Sequence, residues 1–308
     1  MNWTYSFHHA SLILMPLHGI LVPLITPFTA AGEVAADALQ ALARDVLDEG
    51  ATGIVALGTT AEAATLDAAE RQLVVDLCAE VCRERGAALV VGAGSSDTGA
   101  SVAALADLKQ WPQITAALVT VPSFLRPGEA GVVAHFTRLA ADSPVRLLVY
   151  HVPNRTAQPL GTAALRHLAA LPNVAGIKYA TGALDREAVD VLADCPPDFA
   201  VLAGDDSFLS PMLALGAAGG ILASAHLATR RFVELADAWS RGNVAEARRL
   251  GHRLARVSAA AFAEPNPVVI KGVLHRTGRI PTPDVRLPLL PAAPASVHTT
   301  LHQVDQLS

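Results

Sequence analysis

Lysine is nearly missing from this chain: three among 308 residues, against twenty arginines. Cysteine is equally scarce, at three, an odd number with no CxxC spacing. That excludes a disulfide framework and points to a reducing, cytoplasmic setting. Cys78 and Cys82 stand four apart in a helical pattern, as two small buried hydrophobes would. Aromatic residues make up 5% and no basic block interrupts a net charge of −5, which excludes a nucleic-acid surface. Charged residues reach only 17% beside 52% hydrophobic ones, so disorder is excluded and a sizeable core is available. No apolar run can span a bilayer, because the N-terminal run from Ala10 is stopped by Pro16. Residues 1–17 lack the basic start of a secretion signal and read as an extension, with Met15 as an alternative start.

From His18 the chain alternates short apolar runs with longer amphipathic segments. The runs at residues 19–28, 53–59, 88–94, 116–122, 145–153, 174–180, 199–205 and 219–225 are nearly continuous in apolar residues, as parallel strands buried on both faces are. Between them lie segments of helical period. Asp67 and Glu70 have the spacing of a capping box ahead of Leu73, Val74 and Leu77, and residues 208–217 and 230–239 read as helices too. Eight β-α units predict a (β/α)8 barrel over residues 18–242. An open doubly wound sheet ranks second, since no GxGxxG follows the first strand. Residues 243–308 predict a C-terminal helical region, with helices at 246–263 and 267–276 and a proline-rich stretch at 281–294.

In such a barrel the chemistry belongs at the C-terminal ends of the strands. Lys178 ends the apolar run Val174-Ala-Gly-Ile-Lys178. It either snorkels to solvent or serves as a desolvated amine, and burial turns an amine into a nucleophile toward carbonyls. Tyr150 ends the fifth run, either as an amphipathic strand-end ring or as a proton-transfer group. Arg155, five residues on, offers a guanidinium suited to a carboxylate. Gly58-Thr59-Thr60 is either an ordinary turn or a set of hydroxyls and free amides for an anionic oxygen. Asp205 and Asp206 after Gly204 read as helix caps. Gly219-Gly220 serves either close packing or a phosphate cradle. The coincidence of lysine, tyrosine, arginine and hydroxyls at strand ends predicts Schiff-base chemistry on a 2-oxo acid. The histidines form no HxxxH pair and no carboxylate cluster at those ends, so a metal-assisted route ranks lower.

These motifs resemble the dihydrodipicolinate synthase / N-acetylneuraminate lyase family of pyruvate-dependent class I aldolases. Gly58-Thr-Thr-Ala-Glu62 with Leu66 and Glu70-Arg71 is similar to the family's GTTGE segment, and Tyr150-x-x-Pro153-x-Arg155-Thr156 to its YNVPxRT segment. Gly176-Ile-Lys178-Tyr-Ala-Thr-Gly182 is similar to GIKEATG. Gly204-Asp-Asp206, Glu264-Pro-Asn-Pro267 with Lys271, and Arg286-Leu-Pro-Leu289 complete the match over residues 18 to about 291. The resemblance implies Lys178 as Schiff-base lysine, Tyr150 as proton donor and acceptor, and Thr59 and Thr60 around a pyruvate carboxylate, with Gly204 and the Ile221 backbone lining the pocket. It implies no metal or other cofactor, pyruvate with a small aldehyde as substrates, and a homotetramer built from dimers. Arg155 favours the synthase branch, where an arginine binds the carboxylate of aspartate semialdehyde.

Some positions depart from the family pattern. Ser123 and Phe124 stand where the synthases carry two tyrosines, so Phe124 brings no hydroxyl to a relay. His151 replaces an asparagine, Tyr179 an acid and Ala61 a glycine, the last compatible only with a negative φ. Ala63 and Ala68 stand where some synthases hold feedback lysine, so no lysine inhibition is expected. The leading reading is 4-hydroxy-tetrahydrodipicolinate synthase. The rivals are an aldolase or dehydratase of the same chemistry for 2-keto-3-deoxy sugar acids or aromatic-pyruvate adducts, and a non-catalytic keto-acid-binding barrel.

Overall fold

The computed structural model describes residues 17–307. Eight strands close into a parallel barrel in sequence order, β1 to β8, with β8 pairing back to β1. They are β1 Gly19–Pro23, β2 Gly53–Ala56, β3 Ala88–Gly92, β4 Ile114–Thr120, β5 Leu147–His151, β6 Val174–Tyr179, β7 Ala200–Ala203 and β8 Gly219–Ile221. Each lies within or close to a run marked by apolar continuity. The strands are shorter than those runs because several run ends do other work. Leu24 to Phe28, after β1, holds Pro27 and joins no barrel strand, and Ala225 already opens a helix. The Gly219-Gly220 pair serves packing: a Cβ on Gly219 would lie 1.9 Å from the carbonyl oxygen of Gly19, so glycine lets β8 close on β1.

Two apolar layers follow from the alternation of side chains along each strand. Leu21, Val55, Val90, Leu118, Leu148, Tyr150, Leu202 and Ile221 fill the barrel interior, and Leu17, assigned by pattern to the extension, packs with them. The outward residues meet the helices in a larger core. Helix α2 (Ala68–Arg85) begins with the expected capping box: Asp67 accepts from Glu70 N while the Glu70 side chain accepts from Asp67 N. Cys78 and Cys82 are buried on it; burial pushes the Cys82 thiol up to about 12, so both act as apolar filler. The remaining sequence expectations for residues 1–16, the alternative start included, lie outside the described residues.

Beyond α9 (Ala225–Ser240) come α10 (Val244–Ala261), α11 (Val268–Arg276) and α12 (Pro294–Asp305). The last of these was not foreseen. Its His- and Thr-rich sequence has weak intrinsic propensity, and what holds it is tertiary: Val297 and Leu301 pack against Val269 and Val273 of α11. Pro294 at its first turn ends the proline-rich stretch by starting a helix. Among the described residues, no helix is long and apolar enough to cross a membrane.

Candidate active site

A cavity of about 500 Å³ opens at the C-terminal ends of β2 to β5, a size usual for small-molecule sites, about 300–1,000 Å³. Its walls come from two distant stretches. Leu57, Gly58, Thr59, Glu62, Ala63, Ala64, Thr65 and Arg71 follow β2, whereas Asn266, Pro288 and Leu289 belong to the C-terminal region. Leu118, Thr120 and Tyr150 form the floor, and Arg155 stands on the rim.

Lys178 and Tyr150 are neighbours by register. They are Cα partners across β5 and β6, and the pleat turns both side chains to the barrel interior. Both are buried, and the Lys178 Nζ lies 4.4 Å from the centre of the Tyr150 ring. Gly204, at the end of β7, gives the lysine its room: a Cβ there would lie 2.9 Å from Lys178 Cγ and 3.0 Å from Cε. Ile221 is fully buried in the same interior cluster as Tyr150.

Lys271, not Lys178, is the most deeply buried lysine, at 0% exposure. Its ammonium is saturated. It donates to Glu62 Oε1 at 2.6 Å and to the Asp284 carbonyl at 2.7 Å, and lies 4.0 Å from the centre of the Phe28 ring. Burial lowers its pKa and the Glu62 carboxylate opposes that. An amine held by an anion is a poor nucleophile, so of the two buried lysines only Lys178 suits attack on a carbonyl.

The threonines divide. Thr59 is exposed and lines the cavity, while Thr60 is buried and its Oγ1 accepts from Asn266 Nδ2 at 2.9 Å. The 3-10 turn they occupy, Thr59–Ala61, ends on Glu62, which takes the left-handed backbone at φ 54°, while Ala61 is not among the positive-φ residues. Ala61 therefore avoids the strain its Cβ would bring. Arg155 is presented by α5 (Pro153–Thr156), a single helical turn begun by Pro153 directly after β5.

Ser123 and Phe124 lie away from the cavity. Ser123 Oγ is 3.1 Å from Ser96 Oγ. Positive φ at Phe124 and Arg126 turns the loop outward and leaves the Phe124 ring 96% exposed. His151 and Tyr179 face the helices, opposite to Tyr150 and Lys178. Tyr179 donates to Asp185 at 2.6 Å, and burial beside that carboxylate raises its pKa. Burial pulls His151 down to about 4.

Asp205 stands at the N-cap of the 3-10 turn Asp206–Phe208, but no side chain caps that turn. Asp205 accepts from Gly182 N at 2.6 Å, and Asp206 accepts from both Ser224 N and Ser224 Oγ. Full burial raises Asp206 to about 6, against those two donors and the nearby charge of Lys178. An HxxxH spacing does occur in the chain, His298 and His302, but it falls on α12. Among the described residues no three metal-binding side chains gather.

A model of the dihydrodipicolinate synthetase family matches residues 16–306. The chain belongs to this family. Among its relatives, a 4-hydroxy-tetrahydrodipicolinate synthase of Nitratidesulfovibrio vulgaris is 36% identical over 92% of this chain and 95% of its own. A dihydrodipicolinate synthase of Acinetobacter baumannii, solved chloride-inhibited and with pyruvate, superposes with a TM-score of 0.88 at 30% identity, covering 94% of this chain and 99% of that one. A monomeric dihydrodipicolinate synthase variant superposes with a TM-score of 0.89 at 27% identity, covering 94% and 96%. Membership makes the chain an enzyme, a lyase of the class I aldolase type.

What sequence reading missed at this dihydrodipicolinate synthetase site is the second wall. Asn266, Pro288 and Leu289 sit in motifs that carry the family resemblance, yet spacing places them some 200 residues from the hydroxyl turn they face. Only the folded barrel brings them over it.

Proposed function

We propose that this enzyme condenses pyruvate with aspartate semialdehyde through a Schiff base on Lys178, as a 4-hydroxy-tetrahydrodipicolinate synthase. The observation that carries the reading is the buried amine of Lys178, in no ion pair among the described residues, set 4.4 Å from the Tyr150 ring at strand ends of a family barrel. The amine adds to the C2 ketone of pyruvate, and the carbinolamine loses water to give a protonated imine. The imine accepts electrons as C3 gives up a proton, and the resulting enamine attacks the aldehyde carbon. Tyr150 is the group that moves protons between these steps, at the cavity floor. Thr59 with the amides of its turn holds the pyruvate carboxylate; Thr60 supports that turn through Asn266. Arg155 on the rim receives the second substrate's carboxylate.

An aldolase or dehydratase of the same chemistry for 2-keto-3-deoxy sugar acids or aromatic-pyruvate adducts is the second reading. It is favoured by Phe124, which supplies no hydroxyl, and by the apolar side chains of Leu57, Ala63, Ala64 and Leu289 in the cavity. Assembly as a homotetramer is supported by the exposure of Phe124 and Leu125 on one loop, and sedimentation velocity separates it from a monomer. The free thiols Cys78, Cys82 and Cys195 support a cytoplasmic setting.

Borohydride reduction in the presence of pyruvate, followed by peptide mass spectrometry, tests the chemistry. A reduced pyruvyl group on Lys178, absent in Lys178→Ala, is expected. A folded protein that yields no adduct, or yields it on Lys271, overturns the reading.

A further inference from the structure

Glu62 joins the two walls of the cavity. Its side chain is 1% exposed and both oxygens are engaged by the C-terminal region: Oε1 by Lys271 Nζ at 2.6 Å and Oε2 by the backbone N–H of Arg286 at 2.8 Å. Its backbone closes the hydroxyl turn, donating its N–H to the Thr59 carbonyl at 3.2 Å and accepting from Thr65 N and Oγ1. The same residue is held at φ 54°, a conformation that disfavours side chains bearing a Cβ. Arg286 extends the clamp: its guanidinium reaches Glu70 Oε2 at 2.6 Å and the Thr65 carbonyl at 2.8 Å. Two residues beyond it, Pro288 and then Leu289 form the cavity wall.

A buried ion pair is a poor source of stability. Desolvation of both charges offsets their attraction, and apolar replacements of similar volume are often neutral or stabilising. What such a pair does supply is a fixed geometry, since each charge has one place to go. We propose that the Glu62–Lys271 pair is a positioning device for pyruvate: it sets the turn that presents Thr59 and the neighbouring amides to the substrate carboxylate. The inference rests on the Schiff-base reading of Lys178. Neither Glu62 nor Lys271 takes part in the covalent step; they act through the placement of the turn.

The test is the paired variant Glu62→Gln/Lys271→Met, which leaves no buried charge unmatched. Lys271→Met alone strands a buried carboxylate and threatens folding. Measured together are the melting temperature, the steady-state constants for pyruvate, and the pyruvate concentration giving half-maximal borohydride trapping at Lys178. Hydrogen bonds to a charged group are worth about 10- to 100-fold in binding. The expected result is a rise in KM and in half-trapping concentration of roughly 10- to 100-fold, with kcat within about three-fold of wild type and the melting temperature nearly unchanged. Val257→Ala, a truncation of a fully buried side chain on α10, is the control: it lowers the melting temperature and leaves the pyruvate constants alone.

An unchanged pyruvate KM in the paired variant overturns the proposal, as does a fall in kcat at constant KM. If the paired variant does not fold, Glu62→Gln/Lys271→Gln, which also leaves no buried charge unmatched, must show the same rise, and its absence overturns the proposal equally. Wild-type protein that forms no adduct on Lys178 is a different result. It removes the Schiff-base reading itself, and this proposal with it, before any variant is compared.

Discussion

Gly204→Ala tests the site with a single methyl group. Gly204 is outside the left-handed region, so alanine brings no backbone strain and the whole effect is steric. The new Cβ would lie 2.8 Å from Ala180 Cβ, 2.9 Å from Lys178 Cγ and 3.0 Å from Lys178 Cε. Carbon atoms settle at about 3.5–4.0 Å, so each contact falls short by roughly 0.5 Å or more. Ala180 follows directly on β6 and its Cβ can move only with the backbone. The lysine stem is the flexible partner and gives way. Overpacking of this kind costs about 1–3 kcal/mol of stability, which a folded barrel survives. Its effect on chemistry is larger, because a misplacement of about 1 Å at a reacting group costs on the order of 100-fold. The expected outcome is a folded protein whose rate of pyruvate trapping at Lys178 falls by roughly 10- to 100-fold. The assay is borohydride quench at timed intervals with quantitation of the Lys178 peptide, alongside a thermal melt. A Gly204→Ala protein that traps pyruvate at the wild-type rate would show that Lys178 does not react from the position described.

Arg155→Ala should raise KM for aspartate semialdehyde by at least ten-fold, about 1.4 kcal/mol, while pyruvate trapping stays at the wild-type level; unchanged turnover with that aldehyde would sink the synthase reading. Free lysine should leave turnover unaffected, because Ala63 and Ala68 offer it no polar side-chain contact; a dose-dependent loss of rate would refute this. Acidification should destabilise the fold. Burial lowers His151 and His226 from 6.5 to about 4, so their stabilisation is present above pH 6.5 and lost as pH falls toward 4, at about 3 kcal/mol each. Asp206, raised from 3.8 to about 6, works the other way, since its protonation through pH 6 to 4 restores about 3 kcal/mol. Two histidines outweigh one aspartate, so the urea midpoint should be lower at pH 4.5 than at pH 7, and His226→Gln should shrink the difference; an equal or higher midpoint at pH 4.5 contradicts the assignment.

The barrel was legible because its strands are buried on both faces and read as apolar runs, and because Asp67 and Glu70 mark a helix start with side chains that do what their spacing announces. The strand-end places of Lys178, Tyr150 and Arg155 were legible for a related reason. Each ends or closely follows a strand, at the end where this fold gathers its chemistry, and Tyr150 and Arg155 line the cavity. Asp205 and Asp206 show where local pattern fails. Their place before a helical segment says cap, but their carboxylates instead accept from Gly182 and Ser224, partners whose nearness depends on how adjacent strand ends stack.

The lysines make the same point about the limits of counting. With three in the chain, the rarity of the residue directs attention to a buried one, and pattern picks Lys178. Burial itself would have picked Lys271, which is the more enclosed. What separates them is not depth but company. Lys271 meets a carboxylate 209 residues away, a carbonyl and an aromatic face, while Lys178 has a tyrosine ring and a glycine beside it and the carboxylates of Asp205 and Asp206 only beyond ion-pair distance. A buried ammonium with an anion at 2.6 Å is tied to that partner and fixes geometry; the Lys178 amine, in no ion pair among the described residues, has a phenol ring for its neighbour. Two residues of one type, each out of water, thus stand in opposite company, set by contacts that no sequence window spans.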